Sequence, residues 1–312
     1  MWMGGIVKHL ANLAIAAGVF IFTKLYAEII SFNSIDFEGS NLVGQILVMA
    51  FVIQWIAYIP AFVFKTEKFY DITGSFTYIG TILFALYASS SFQNLKLGNI
   101  FIGLAIIIWA IRLGSFLFMR IHKDKKDGRF DSIKTSFSQF FMTWTLQGMW
   151  VFICSSAALI AIANPSGVPI NSLFILGLFM FIFGFAIEVI ADNQKSAFRS
   201  IPENKDSFIN EGLWARSRHP NYFGEITLWA GITVMGISTF EGMNYLAIFS
   251  PIFSYLLLVY VSGVRLLELR GHKKWGHLEL SLIHISEPTR PERIWYGGVF
   301  VKKKSGGGGG GG

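Results

Sequence analysis

Asn171-Ser-Leu-Phe-Ile-Leu-Gly-Leu-Phe-Met-Phe-Ile-Phe-Gly-Phe-Ala-Ile-Glu-Val-Ile-Ala-Asp192 decides the architecture. A helix needs about 20 apolar residues to cross roughly 30 Å of hydrocarbon, and residues 171–191 supply them without a proline. The two acids at its end, Glu188 and Asp192, lie four apart and so share one helical face. Ionisable groups at that depth are costly unless they face a bundle interior or a cavity. The stretch therefore reads as a membrane span whose last turns carry polar business inward.

Working outward, comparable windows fall near 9–30, 42–64, 73–92, 98–119, 138–162, 221–240 and 244–267. Of the 312 residues 53% are hydrophobic and 14% charged, with 31 phenylalanines. That composition predicts an all-α, polytopic integral membrane bundle of seven or eight helices. Seven holds if one window is re-entrant. The start, Met1 to Lys8, leads into an apolar stretch too long for a signal-peptide core, which favours a first span over a cleaved leader.

The loops set the orientation. Lys123, Lys125, Lys126, Arg129 and Lys134 follow the fourth window; Lys195, Arg199, Lys205, Arg216 and Arg218 follow the sixth; Arg270, Lys273 and Lys274 follow the eighth. The alternate loops hold Asp36 and Glu38, a lone Lys96, uncharged residues 164–171, and Glu241. With eight spans every basic loop falls on one side, so both termini are expected on the cytoplasmic side.

Several function classes drop out. The formal charge of +7 reflects such loops and not nucleic-acid binding. One cysteine, Cys154, permits no disulfide framework and no Cys-based metal site. No P-loop occurs, and no GxGxxG in a strand–helix context. His219 and His122 give neither HxxH nor HExxH, so no metal site is expected.

Chemistry concentrates in Arg216-Ser-Arg-His-Pro-Asn-Tyr-Phe-Gly-Glu225. Pro220 suits the first turn of a helix, whose N-terminus offers free N–H groups to an anion. Arg216 and Arg218 add bidentate forks for phosphate or carboxylate. Asn221, Tyr222 and Glu225 then enter the membrane with the helix. Glu188, Asp192, Gln194, Lys195 and Arg199 on the sixth span, Arg112 and Arg120 on the fourth and Gln147 on the fifth gather toward the same side. Snorkelling and ion pairing would account for Arg120 or Lys195 singly. The whole set suits a phosphorylated ligand, arginines taking phosphates while amides and carboxylates take ribose and base. Positions 71, 75 and 78 share a face of the third span. There Asp71 and Tyr78 either polarise a substrate carbonyl together, or Asp71 simply answers the helix dipole. Lys24 and Glu28 read as a self-paired couple, and Gln54 as an interhelical hydrogen bonder.

Asp192-Asn-Gln-Lys-Ser-Ala-Phe-Arg199 and Glu211-Gly-Leu-Trp-Ala-Arg-Ser-Arg-His-Pro-Asn-Tyr-Phe-Gly-Glu225 resemble the C-terminal half of the membrane steroid 5α-reductase family, in particular bacterial members with a domain of uncharacterised function. Trp109-Ala-Ile-Arg112, Arg120, Asp127-Gly-Arg129 and Gln147 fit its middle region, so the resemblance covers about residues 70–276. It implies NADPH as hydride donor to the β-carbon of an α,β-unsaturated ketone, a 3-oxo-Δ4 steroid or another apolar isoprenoid or lipid enone entering from the membrane. It places Arg112, Asp192, Arg199, Arg218, His219, Asn221 and Tyr222 around the cofactor, with Glu225 near the reacting centre. The mammalian Gln-Glu pair that polarises the carbonyl has no clean counterpart, and Asp71 and Tyr78 stand in for it. The Arg-His-Pro core is shared with isoprenylcysteine-type carboxyl methyltransferases. An S-adenosylmethionine-dependent methyltransferase, and a non-catalytic sterol- or lipid-binding protein, are therefore the alternatives.

The end of the chain reads differently. Leu280-Ser-Leu-Ile-His-Ile-Ser-Glu-Pro-Thr-Arg290 resembles the translation of a sequencing-library adapter, followed by Lys302 to Lys304 and Gly306 to Gly312 as poly-A and poly-G. A single membrane domain over 1–279 and an artefactual tail over 280–312 are expected. The tail holds five basic and two acidic residues, which leaves +4 of the formal +7 on residues 1–279. Trp275-Gly-His277 runs straight into it, where the family usually continues with a tyrosine-bearing segment.

Overall fold

The structure, a computed structural model, describes residues 2–90, 95–125 and 127–262. Lys126, the end of the eighth window, Arg270, Lys273, Lys274, Trp275 to His277 and the 280–312 tail lie outside the described residues. Eight α-helices carry the fold: α1 Trp2–Ile30, α2 Leu42–Val63, α3 Tyr70–Ser90, α4 Leu97–Asp124, α5 Phe137–Ile162, α6 Ser172–Ser200, α7 Pro220–Gly236 and α8 Phe249–Leu256. A two-residue-per-strand antiparallel hairpin, β1 Asp36–Phe37 and β2 Ser40–Asn41, turns through Glu38 and Gly39 at positive φ.

Among the described residues seven helical stretches are long and apolar enough to cross a membrane, the last being Gly242–Tyr260. The polytopic all-α bundle is thus as expected. The seventh expected span, 221–240, is instead the 17-residue α7, followed by a 3-10 turn at Ile237–Thr239. At 1.5 Å per residue α7 is about 25 Å long, short of the membrane core. Helices also outrun their hydropathy windows. α6 continues to Ser200 and α4 to Asp124, because apolarity ends at the interface whereas helix-compatible polar residues carry the helix on.

α5 is the axis. Its apolar window is 83% buried, against 28% for α6, and it touches α1, α2, α3, α4, α7 and α8. Outward-facing side chains are large and apolar, among them Ile56, Val63, Ile175 and Phe179. In lipid that exposure costs nothing, so association must come from close packing and internal hydrogen bonds. Gln54 supplies one such bond, donating to Thr77 Oγ1 at 2.7 Å. Lys24 and Glu28 pair at 3.6 Å.

The closest packing joins α6 to α7. A Cβ on Gly184 would stand 2.6 Å from the Gly224 carbonyl, and one on Gly177 2.5 Å from the Gly231 carbonyl; the reciprocal additions clash equally. Seven residues separate the glycines on each helix, so both pairs lie on one antiparallel seam. This seam fixes the N-terminus of α7 against Glu188.

The two ends of the bundle differ. At one, Asn99 donates to Ile162 O and accepts from Val168 N–H, Asn164 donates to Thr239 O, and Asn244 donates to Ile30 O and Phe32 O. The other gathers the start of α1, the ends of α2, α4 and α6, and the starts of α3, α5 and α7. There His9 Nδ1 bonds Ser138 Oγ at 2.7 Å, and Lys134 and the Asp127 N–H both donate to Glu67. The basic segments within the described residues lie at this second end.

Candidate functional site

The charged end is organised by a guanidinium. Arg112, about two turns from the end of the apolar part of α4, donates to Glu188 Oε1 at 2.9 Å and meets Asp192 Oδ2 at 2.8 Å. The spacing of four on α6 makes this possible, since it brings both carboxylates to the α4 side. Trp109, one turn before Arg112, donates its indole N–H to Glu188 Oε2 at 3.1 Å. Asn221 at the start of α7 donates to Asp192 Oδ1 at 3.3 Å. One connected chain therefore links α4, α6 and α7. Glu188, Asp192 and Glu225 are 2%, 7% and 8% exposed, so three buried carboxyl groups share the neighbourhood of one half-buried guanidinium. Such a surplus makes the cluster a place where a proton can be held and passed.

Pro220 opens α7 with His219 as N-cap, as its fixed φ predicts. The His219 ring stacks on Tyr222 at 5.2 Å with planes 9° apart. Burial, with the neighbouring Lys195 and Arg218 charges, pushes the imidazole down to about 4, so at neutral pH it is an uncharged ring. Its Nε2 is buried and makes no hydrogen bond, as are Asn221 Oδ1, Gln147 Oε1 and Glu225 Oε1. These orphaned atoms, drawn from α5 and α7, are ready to meet a ligand rather than the fold.

Around them lies a basic rim. Arg120, Arg199 and Arg216 are exposed, and Arg218 flanks His219. Lys195 sits 4.8 Å above the Trp214 ring, while Gln194 accepts the Leu213 N–H at 3.0 Å. Trp214 itself donates to Ala191 O. Gln194 and Lys195 thus hold the 3-10 turn Gly212–Ala215 onto α6, a structural task the sequence reading did not give them. Gly212, at φ +59, permits this; a side chain there would collide with Gln194.

The expected pairing of Asp71 with Tyr78 is corrected. The two are seven residues apart on α3, roughly 10 Å along the axis. Asp71 faces the rim, under the influence of Arg129 and Arg120. Tyr78 is buried deeper, its ring 5.1 Å from Trp109 and 5.6 Å from Trp229. The carboxyl acting on Tyr78 is that of Glu225. Gln147 donates to Tyr70 O at 3.1 Å and packs where Gly74 leaves room.

The sequence reading missed Glu67. It is 5% exposed and tethers the 125–136 loop through Lys134 at 2.7 Å and the Asp127 N–H at 3.0 Å. Burial opposes its charge, but the hydrogen bonds from Lys134 and Asp127 outweigh that and hold the carboxyl below its ordinary range. It also missed Trp109 as a carboxylate donor. Only the one-turn spacing from Arg112 could have signalled it. A groove of about 240 Å³ between α1 and α2, lined by Phe20, Lys24 and Leu47 among others, lies away from this cluster.

A family model described as "Protein of unknown function (DUF1295)" matches residues 57–280. No curated protein and no solved structure matches the chain.

Proposed function

The chain belongs to the DUF1295 family, and from that premise we propose that it is an NADPH-dependent membrane reductase acting on the C=C bond of an α,β-unsaturated ketone, a 3-oxo-Δ4 steroid or a related lipid. The observation that carries this reading is the hydrogen-bonded chain Trp109–Glu188–Arg112–Asp192–Asn221, set between a basic rim and the buried pair Tyr78 and Glu225. Orphaned polar atoms on His219, Asn221 and Gln147 fit a ligand rich in amides and hydroxyls, and the rim arginines fit its phosphates.

In this proposal Arg120, Arg199, Arg216 and Arg218 hold the phosphates, while Asn221, His219 and Gln147 hold the neutral groups. Arg112 positions Asp192 and, through it, Asn221. When bound, NADPH would supply a hydride for the β-carbon of the enone. Glu225 or Tyr78 donates a hydrogen bond to the ketone oxygen, polarising it toward the developing enolate. The apolar shell of α3, α5 and α7 keeps water from the reacting centre. Placing the charged end in the cytoplasm follows from the positive-inside rule and matches the side on which NADPH is found.

Detergent-solubilised protein titrated separately with NADPH and S-adenosylmethionine tests this reading. A ligand that binds only the folded state stabilises it by about 2.7 kcal/mol at a hundredfold excess over Kd. Stabilisation by NADPH alone, followed by steroid-dependent NADPH oxidation, is expected. Stabilisation by S-adenosylmethionine alone would replace the reductase with a methyltransferase.

A further inference from the structure

A second polar set lies deeper than the charged chain and takes no part in it. Cys154 on α5 is fully buried. Tyr78 from α3, Trp150 one turn earlier on α5, and Ser254 from α8 surround its thiol. The Tyr78 hydroxyl, the Trp150 indole N–H and the Ser254 hydroxyl are all buried, and apart from the Cys154 sulfur they face none has a hydrogen-bond partner. Their common neighbour is a thiol, a weak acceptor. Buried donors in folded proteins ordinarily find partners, and three converging from three helices is a pattern that packing alone does not call for.

The chemistry of the set narrows what it could receive. Two O–H groups and an N–H can all serve one oxygen bearing two lone pairs. Among the described residues the titratable side chain bearing on both Tyr78 and Cys154 is the acid Glu225, with no cation beside them to hold an anion. The Tyr78, Trp109 and Trp229 rings wall the set with flat apolar surface. After Ser254 the chain passes into a π-helical turn, Leu257–Ser262, a distortion often found at functional sites. A neutral carbonyl oxygen on an otherwise apolar molecule satisfies every one of these conditions.

We infer that Tyr78, Trp150 and Ser254 form a neutral donor pocket, floored by Cys154, that receives the ketone oxygen of the substrate. The identity of the ligand as a ketone rests on the reductase reading; Trp150, Ser254 and Cys154 are additions to it. Glu225 then stands beside the oxygen rather than being its sole partner.

The test is equilibrium binding of radiolabelled cholest-4-en-3-one, and of cholest-4-ene lacking the oxygen, to the full chain in detergent without dinucleotide. The ketone should bind about tenfold more tightly than the hydrocarbon. Ser254→Ala and Trp150→Phe should each weaken ketone binding roughly fivefold, a single lost hydrogen bond, and leave hydrocarbon binding unchanged. Cys154→Ser guards against misfolding. It preserves size and offers the donors a better acceptor, so it should keep thermal stability while lowering ketone affinity. Equal binding of ketone and hydrocarbon by the wild type, or variants that keep the full preference, would overturn the pocket. NADPH titration of the same samples separates the two readings. NADPH binding without a ketone preference sinks the pocket alone, a ketone preference without NADPH binding sinks the reductase alone, and neither response sinks both.

Discussion

The two ends of the bundle use polar side chains in opposite ways. At the end built on asparagines, Asn99, Asn164 and Asn244 turn both sides of their amides toward backbone groups. Ser34 Oγ is the buried polar atom left over there among the described residues. At the charged end His219, Asn221, Gln147 and Glu225 each keep a buried atom that makes no hydrogen bond. A membrane interior penalises unsatisfied groups heavily. Polarity at the first end therefore closes loops, whereas polarity at the second is held available. The contrast locates function better than charge alone, since Glu67, Lys134 and Asp127 are charged yet fully engaged in tethering a loop.

The largest effect that could break this contrast is on turnover. Glu225→Gln keeps size and removes the acidic proton and charge. A lost general acid typically costs 10²–10⁴-fold, so steroid-dependent NADPH oxidation should fall about a thousandfold with thermal stability nearly unchanged. A variant that unfolds instead would make Glu225 another structural polar group, like the asparagines.

Next comes the opposite end. Asn244 is 1% exposed and joins Ile30 O, Phe32 O and the Glu241 N–H. Asn244→Ala strands all three and should destabilise the protein by about 3 kcal/mol, read as a lowered melting temperature with NADPH affinity intact. Weakened NADPH binding at preserved stability would dissolve the distinction between the two ends. A smaller change, about 1–2 kcal/mol, is expected for Lys134→Met. It leaves Glu67 buried with one partner, but Lys134 itself is 20% exposed, so solvent softens the loss. Limited proteolysis within 125–136 should accelerate in that variant.

How far these regions were legible in the sequence follows the same physics. Spans showed because hydrocarbon punishes polarity residue by residue, and the i, i+4 pair Glu188/Asp192 showed because helical periodicity is local. Helix ends did not, since Asp192 to Ser200 remains helical after the apolar run stops. The seam was written as Gly177/Gly184 and Gly224/Gly231, but its meaning needs both helices side by side. Asp71 and Tyr78 share a face yet not a depth, and that difference separates the rim acid from the buried phenol. Trp150, Cys154 and Ser254 look like ordinary occupants of apolar windows. Only the meeting of α3, α5 and α8 makes them a set.

The smallest effect concerns pH and sharpens the boundary between site and scaffold. Folding takes the His219 imidazole from an ordinary value near 6.5 to about 4, by burial and then by the Lys195 and Arg218 charges. Between those values the unfolded chain binds more protons than the folded one, so stability rises with pH. The contribution is complete above about pH 7, falls by about 1 kcal/mol at pH 6, and is lost further as pH drops toward 4. His219→Gln should flatten that part of the melting-temperature profile. The same profile at saturating NADPH then distinguishes the roles, because a phosphate beside the imidazole favours its protonated form. A pH dependence that shrinks when NADPH is present puts His219 in the ligand's field. A dependence that persists unchanged leaves it as a buried cap on α7, grouped with the scaffold of the opposite end.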